Sequence, residues 1–298
     1  MLQDFAVKFV EDLNEKYQRH FEVHKTEHTN NVVKIGVMER QPGNVSTSPI
    51  IYLQDFYLRS ETDEDYNKLL EDFKEMFDQA LTQGVDIVDV TNLDNKEYIL
   101  SNVFLSVISY DMNTEILQNV PHKQWLDFAI VCRIMVGGTE TDATALVNNS
   151  VFKNLHIGKE ELFSIAAKNT YMNPELRTKT RSMQSILSSF QPELFDETEQ
   201  LPEPKMFVLC TNTGRYGAAA IGDLEALISL SDQLDSDLYI LPSSVHELIV
   251  LPKSEVTADV SVLREMVQSV NDTVLNTEEI LSYNVYLFDR EAKEVRIA

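Results

Sequence analysis

Two hydroxyls, an imidazole and a carboxylate fall within five consecutive positions of the stretch SDLYILPSSVHELIVLPKS, residues 236–254: Ser243, Ser244, His246 and Glu247. Such a set could supply a nucleophile, its base and an orienting acid for hydrolysis. The spacing points to something plainer. Leu238 to Leu241 and Val245 to Leu251 read as two strands, and Pro242-Ser243-Ser244 between them has turn chemistry. In a regular second strand, Ser244 and His246 project to one side, within reach of a hydroxyl–imidazole hydrogen bond. Glu247 then projects to the other side, where it cannot orient the ring. No G-x-S-x-G elbow is present. Ser243, Ser244 and His246 are therefore the catalytic candidates, and a hydrogen-bonded hairpin corner is the preferred reading of them.

Other groupings invite the same test. Gly214-x-x-Gly217 in NTGRYGAAA lacks the G-K-[ST] ending of a phosphate loop and the spacing of a dinucleotide fingerprint, so it reads as a hairpin turn followed by small residues. His20, His24 and His28 recur every four residues, as metal-binding histidines on a helix do. The pattern there is a strand's, however, which sets His24 and His28 about 13 Å apart, too far to share an ion. Arg177, Lys179 and Arg181, with Lys168 nearby, form a basic patch and are the candidates for an anion or carboxylate site; a loop that neutralises its acidic surroundings is preferred. Cys132 and Cys210 lie in apolar runs, where a thiolate is disfavoured. No residue is assigned to a cofactor or a metal, and no cofactor is implied.

With 25 Lys and Arg against 48 Asp and Glu, the formal charge is −23. A surface that negative repels nucleic-acid backbones and anionic lipid. The expectation is a chain with no direct nucleic-acid partner and no membrane association, whose charge chiefly gives solubility. An acidic decoy that imitates DNA toward a basic protein is the sharper alternative. Asp4, Lys8, Glu11 and Asp12 break up what a signal peptide would need as an apolar stretch, and buried reduced cysteines suit a cytoplasmic setting.

The elements that must position these groups follow from periodicity. Leu2, Phe5, Ala6, Phe9, Val10, Leu13 and Tyr17 recur at three- and four-residue steps and predict an amphipathic helix. Strands are expected at 21–28, 32–38 and 49–53, with a Thr29-Asn30-Asn31 turn between the first two. A helix is expected over 60–83, capped by Ser60 or Thr62 and ended by Gly84, with Asp63, Glu64 and Asp65 in its first turn. Buried strands are expected at 102–110 and 125–136. In the second, Asp127 and Arg133 share a face but lie about 20 Å apart, so each needs its own partner. Gly137-Gly138 begins a loop to a strand near 143–147, and short helices follow at 158–169 and 180–190. The proline-rich, acidic stretch 191–204 reads as a linker. Beyond it come strands at 205–211 and 217–221, a helix at 223–234, strands at 237–241 and 246–251, a helix at 259–275, and strands at 282–289 and 294–297.

The stretches NNVVKIGVMERQPGNVSTSPIIYLQDFY, VPHKQWLDFAIVCRIMV, NTGRYGAAAI and SDLYILPSSVHELIVLP, in this order, resemble an uncharacterised domain-of-unknown-function family associated with anaerobic, largely gut-dwelling bacteria. The likeness covers nearly the whole chain. It implies a bacterial cytosolic protein, and it supplies no activity, cofactor or catalytic residue. Members of that family usually carry a glycine in the Asn30-Asn31 turn, which is followed here by Val32.

The expected fold is α+β in two lobes: an N-terminal mixed-sheet lobe with helices over 1–195, and a C-terminal ββαββαββ lobe over 203–298 with a largely antiparallel sheet and its helices on one face. The expected role is a non-catalytic binding or regulatory protein with a protein among its partners. A hydrolase using Ser243 or Ser244 with His246 is the alternative.

Overall fold

The computed structural model describes residues 1–40, 48–62, 64–82, 94–136, 144–190 and 205–298. Its contacts group the chain into two compact units, Met1–Asn95 with Met135–Thr144, and Lys96–Ile134 with Ala145–Ala298. Residues on both sides of 191–204 thus belong to the second unit; that stretch, Gly84, Asp63 and Gly137-Gly138 lie outside the described residues.

In the first unit, α1 (Leu2–Tyr17) leads into a sheet of β1 (Phe21–His28), β2 (Val32–Glu39) and β3 (Ile51–Tyr52), followed by α2 (Gln54–Ser60) and α3 (Tyr66–Thr82). The sheet is antiparallel throughout rather than mixed: β1 pairs with β2 and β2 with β3, each in antiparallel register. Asn30 and Asn31 both adopt the left-handed conformation, φ 60° and 56°. Asparagine tolerates it, so the β1–β2 turn closes without a glycine. Helix α2 was not expected; the expected helix over 60–83 is α3, which starts later, at Tyr66. Its caps fall differently from the expectation: Asp65, not Ser60 or Thr62, stands before α3 and accepts a hydrogen bond from the Asn67 N–H.

The α1 stripe buries Ala6, Phe9, Val10 and Leu13. Phe9 packs edge-on against Phe73, and Phe21 does the same against Phe77, with centroids 5.6 and 5.1 Å apart. Arg19 closes this core. Its guanidinium lies over Phe21 and Phe77 at 4.8 and 5.1 Å. It donates twice to Glu39, at 2.7 and 2.5 Å, and once to Asp78 at 2.5 Å. The Glu39 bonds, foremost, hold the guanidinium pKa above its usual value. Glu39 is only 15 % exposed, so losing its partner leaves a carboxylate short of water. Arg19→Leu is expected to destabilise the chain by about 2 kcal/mol, and Arg19→Lys by roughly half that, since an ammonium cannot span both carboxylate oxygens. Urea unfolding followed by circular dichroism measures both; a neutral Arg19→Leu would show that stacking and ion pairing there add nothing.

In the second unit, α4 (Lys96–Asn102) and β4 (Val103–Ser109) precede β5 (His122–Trp125), β6 (Phe128–Met135) and β7 (Thr144–Leu146), which make a four-stranded sheet. Next come α5 (Asn149–Leu155), α6 (Lys159–Met172), β8 (Lys179–Ser182), α7 (Met183–Phe190) and β9 (Phe207–Cys210). The chain ends with α8 (Leu224–Leu234), β10 (Leu238–Pro242), β11 (Leu248–Pro252), α9 (Val260–Thr273), β12 (Tyr286–Asp289) and β13 (Glu294–Ile297). Strands β8 to β13 form a six-stranded antiparallel sheet in the order β13-β12-β10-β11-β9-β8.

Three expectations change here. Residues 217–222 are a buried 3₁₀ turn, not a strand, because the Gly-Ala-Ala-Ala run has no bulk to brace a strand and fits instead under β9. The segment 125–136 is broken by a two-residue turn: Trp125 pairs with Phe128, leaving Leu126 and Asp127 between them. The helices lie on both faces of the six-stranded sheet. Leu238, Ile240, Leu248 and Val250 join a core with Leu227 and Leu230 of α8, whereas Leu241 and Leu251 join another with Leu263 and Val267 of α9. Successive strand residues point to opposite faces, so LYIL and LIVL, apolar at every position, need cover on both.

Candidate functional site

The β10–β11 hairpin holds the candidate residues at its corner. Pairing runs from Leu238↔Pro252 to Pro242↔Leu248, so β11 begins at Leu248 and residues 243–247 form the loop. The backbone explains why. Ser243 and Ser244 N–H groups both donate to the Glu247 carbonyl at 3.3 Å, and the Val245 N–H leaves the hairpin to donate to the Glu279 carbonyl at 2.9 Å. His246 is therefore not on a strand, and the expected alternation of its neighbours does not apply. The Ser244 hydroxyl accepts the backbone N–H of His246 at 3.0 Å, and the Ser243 hydroxyl donates to Glu247 Oε1 at 3.2 Å. Both hydroxyls brace the bend; the hydroxyl–imidazole bond expected from the sequence is replaced by one to the main chain.

The imidazole is held by a different segment. Tyr216, in the left-handed conformation at φ 53°, donates its N–H to His246 Nδ1 at 3.2 Å, and the two rings lie 5.4 Å apart. Gly217 follows Tyr216 where there is no space for a side chain: a Cβ would come within 2.5 Å of the His246 carbonyl oxygen and 2.7 Å of Cys210 Cα. Arg133 lies 4.5 Å over the Tyr216 ring, the partner its burial requires. Glu279 Oε1 stands 3.8 Å from His246 Nε2. Because Nδ1 accepts a hydrogen bond, the neutral ring carries its proton on Nε2, facing that carboxylate. Neither nitrogen then offers a free lone pair to a serine hydroxyl.

Burial, first of all, lowers the His246 pKa; Arg215 and Arg133 act in the same direction, and Glu279 and Glu247 oppose them. As pH falls through the ordinary histidine range, the unfolded chain takes up a proton that the folded chain resists, so this contribution to stability is complete above that range and lost below it. The stability difference between wild type and His246→Asn should shift in the variant's favour from about pH 7.5 to about pH 5.5. Urea titration read through Trp125, the only tryptophan, measures it; a pH-independent difference would contradict the inference.

Lys179 and Arg181 are exposed on β8, the last strand of its sheet, and Arg177 is exposed just before it. Lys179 donates to Asn212 Oδ1 at 3.0 Å. Charged side chains on an edge strand discourage pairing with another chain. His24 and His28 lie on β1 as expected, and His28 Nε2 is 3.0 Å from the Tyr52 hydroxyl. Burial pushes the Cys132 thiol up to about 12 and raises that of Cys210 as well.

Two features escaped the sequence reading. In the first, Asp127 Oδ1 accepts from the Tyr286 hydroxyl at 2.6 Å, and Oδ2 accepts from Ser282 Oγ at 2.7 Å and Asn284 Nδ2 at 3.0 Å. The fully buried Tyr286 hydroxyl has its pKa raised, mainly by burial and then by this carboxylate. The network stabilises a turn that Leu126, at φ 54°, does not favour on its own. Asp127→Ala is expected to cost about 3 kcal/mol, because the Ser282 hydroxyl and the Asn284 amide would lose their acceptor and the Tyr286 hydroxyl would keep only Ser282 Oγ, at 2.7 Å. Trp125 emission during urea unfolding reads this, and a loss well under 1 kcal/mol would exclude the anchoring role.

The second feature is a cavity of about 370 Å³ lined by Leu241, Ile249 and Leu251 of the sheet, by residues 255–258, and by Val262, Leu263, Met266, Val267 and Val270 of α9. Lys205 and Glu255, 3.0 Å apart, supply the charges on its lining, and Ser243 also reaches it. A legible signal was the valine and methionine recurrence at four-residue steps in α9, alongside the inward Leu263 and Val267.

The chain belongs to DUF5688, a family of unknown function whose model matches residues 2–290. No curated protein and no solved structure matches the chain. No helix among the described residues is long and apolar enough to cross a membrane.

Proposed function

We propose that this chain is a non-catalytic binding or regulatory protein that engages its ligand through the apolar cavity between α9 and the β10–β11 hairpin. The observation that carries this reading is the cavity itself. Its volume of about 370 Å³ falls in the range of small-ligand pockets, and its walls are aliphatic apart from a few polar groups. His246 is not among the residues that line it. The hydroxyls of Ser243 and Ser244 already serve the hairpin corner, which leaves a hydrolytic reaction without an evident nucleophile–base pair.

The second reading is a hydrolase at the same corner. What favours it is Glu279, a carboxylate from outside the hairpin, 3.8 Å from His246 Nε2. The two readings separate in solution. The neutral fluorophore N-phenyl-1-naphthylamine should bind the intact protein saturably, and Ala258→Trp, which places an indole at an exposed position on the cavity lining, should weaken it about tenfold. Generic ester and phosphoester substrates should show no turnover that His246→Asn removes. Probe binding unaffected by Ala258→Trp would sink the cavity reading, and turnover lost in His246→Asn would establish the hydrolase instead.

A further inference from the structure

The apolar arc of α9 is wider than the sheet beneath it can cover. Leu263 and Val267 are buried against Leu241 and Leu251. Beside them run Val262, Met266, Val270 and, just past the helix end, Val274, which are 43, 58, 42 and 72 % exposed. Four-residue steps keep these side chains in one stripe. Twelve residues at about 1.5 Å each make it roughly 18 Å long. Val262, Met266 and Val270 also line the cavity, so stripe and cavity are one continuous apolar surface.

We propose that this surface is the docking site for a short cationic amphipathic helix of a partner protein, an inference that rests on the binding reading above and names the partner's chemistry. The shape argues for a helix. An apolar stripe of about three helical turns that is continuous with a cavity accepts side chains spaced at i, i+4 and i+7 on an incoming helix. Met266, near the middle of the stripe, has the flexible, polarisable side chain that adapts to such anchors. Charge fixes the sign. The chain carries −23, and α9 with its flank presents exposed Asp259, Glu265 and Asp272. Arg264 is the helix's cation, and its guanidinium donates to the Ala298 carbonyl at 3.0 Å. A basic partner is drawn toward such a surface, whereas a second copy of this chain is repelled by it.

The test is calorimetric titration of the full chain with two synthetic helices of about 16 residues sharing the same leucine positions, one with lysine at the remaining positions and one with glutamate. The lysine helix should bind saturably, about tenfold or more tighter than the glutamate helix. Met266→Glu and Val270→Glu should each weaken it about tenfold. Each substitution adds a negative charge, so diffuse attraction to an acidic surface predicts the opposite sign: unchanged or tighter binding to the variants overturns the proposal. Both residues are exposed, and unchanged Trp125 emission and melting temperature check that the fold is kept. Failure of both helices while the neutral fluorophore still binds overturns helix docking and leaves the cavity reading standing. A concentration-dependent dimer that Met266→Glu dissolves assigns the face to a second copy and overturns it too.

Discussion

The β10–β11 hairpin is apolar on both faces, and the second unit is built around covering them. One face is closed. Leu238, Ile240, Leu248 and Val250 meet α8, the 3₁₀ turn at 217–222, and Val107 and Phe128 of the four-stranded sheet in a single core. Among the described residues, the other face rests on one 14-residue helix, α9, and on residues 255–258. A helix about 10 Å across cannot roof a six-stranded sheet. The cavity and the exposed stripe are what remains of that face once α9 has been placed, so the candidate binding surface follows from the same constraint that holds the sheet together.

Much of this was legible from residue periodicity, and the limits have physical causes. The α1 stripe, the β1–β2 hairpin and helices α8 and α9 were expected at or close to their actual bounds, because one face of each is buried and the other is wet. Turns without glycine or proline were harder. Leu126-Asp127 is hidden in an apolar run because its stabilising partners, Ser282, Asn284 and Tyr286, lie more than 150 residues away. The 3₁₀ turn at 217–222 read as a strand because small apolar residues carry no period. That both faces of the central hairpin need cover was written in its unbroken apolar runs, though not which helix goes to which side.

At the corner of residues 243–247, the local geometry depends on distant parts of the chain. Strand alternation joined Ser244 to His246 on paper, and that logic requires a ladder continuing through Val245. A carbonyl from Glu279 takes the Val245 N–H instead, and the ladder stops at Leu248. Burial acts first on His246's protonation, and of its partners only Glu247 lies in the hairpin; Tyr216, Glu279, Arg133 and Arg215 come from outside it. No window around residue 246 contains them.

Two of the stretches that carry the family resemblance, NTGRYGAAAI and SDLYILPSSVHELIVLP, interlock at this corner. Tyr216 must turn left-handed to aim its N–H at the His246 ring, and Gly217 must lack a side chain to pass the His246 carbonyl. Ser244 must accept the His246 N–H for the loop to present that carbonyl there. Each residue type is accounted for by its fit to the other stretch, with no substrate invoked. The set of serine, histidine and glutamate joins two segments of the chain. The surface with unmet apolar area lies instead on the other face of the same hairpin, under α9, where the side chains that look least like chemistry are the ones left uncovered.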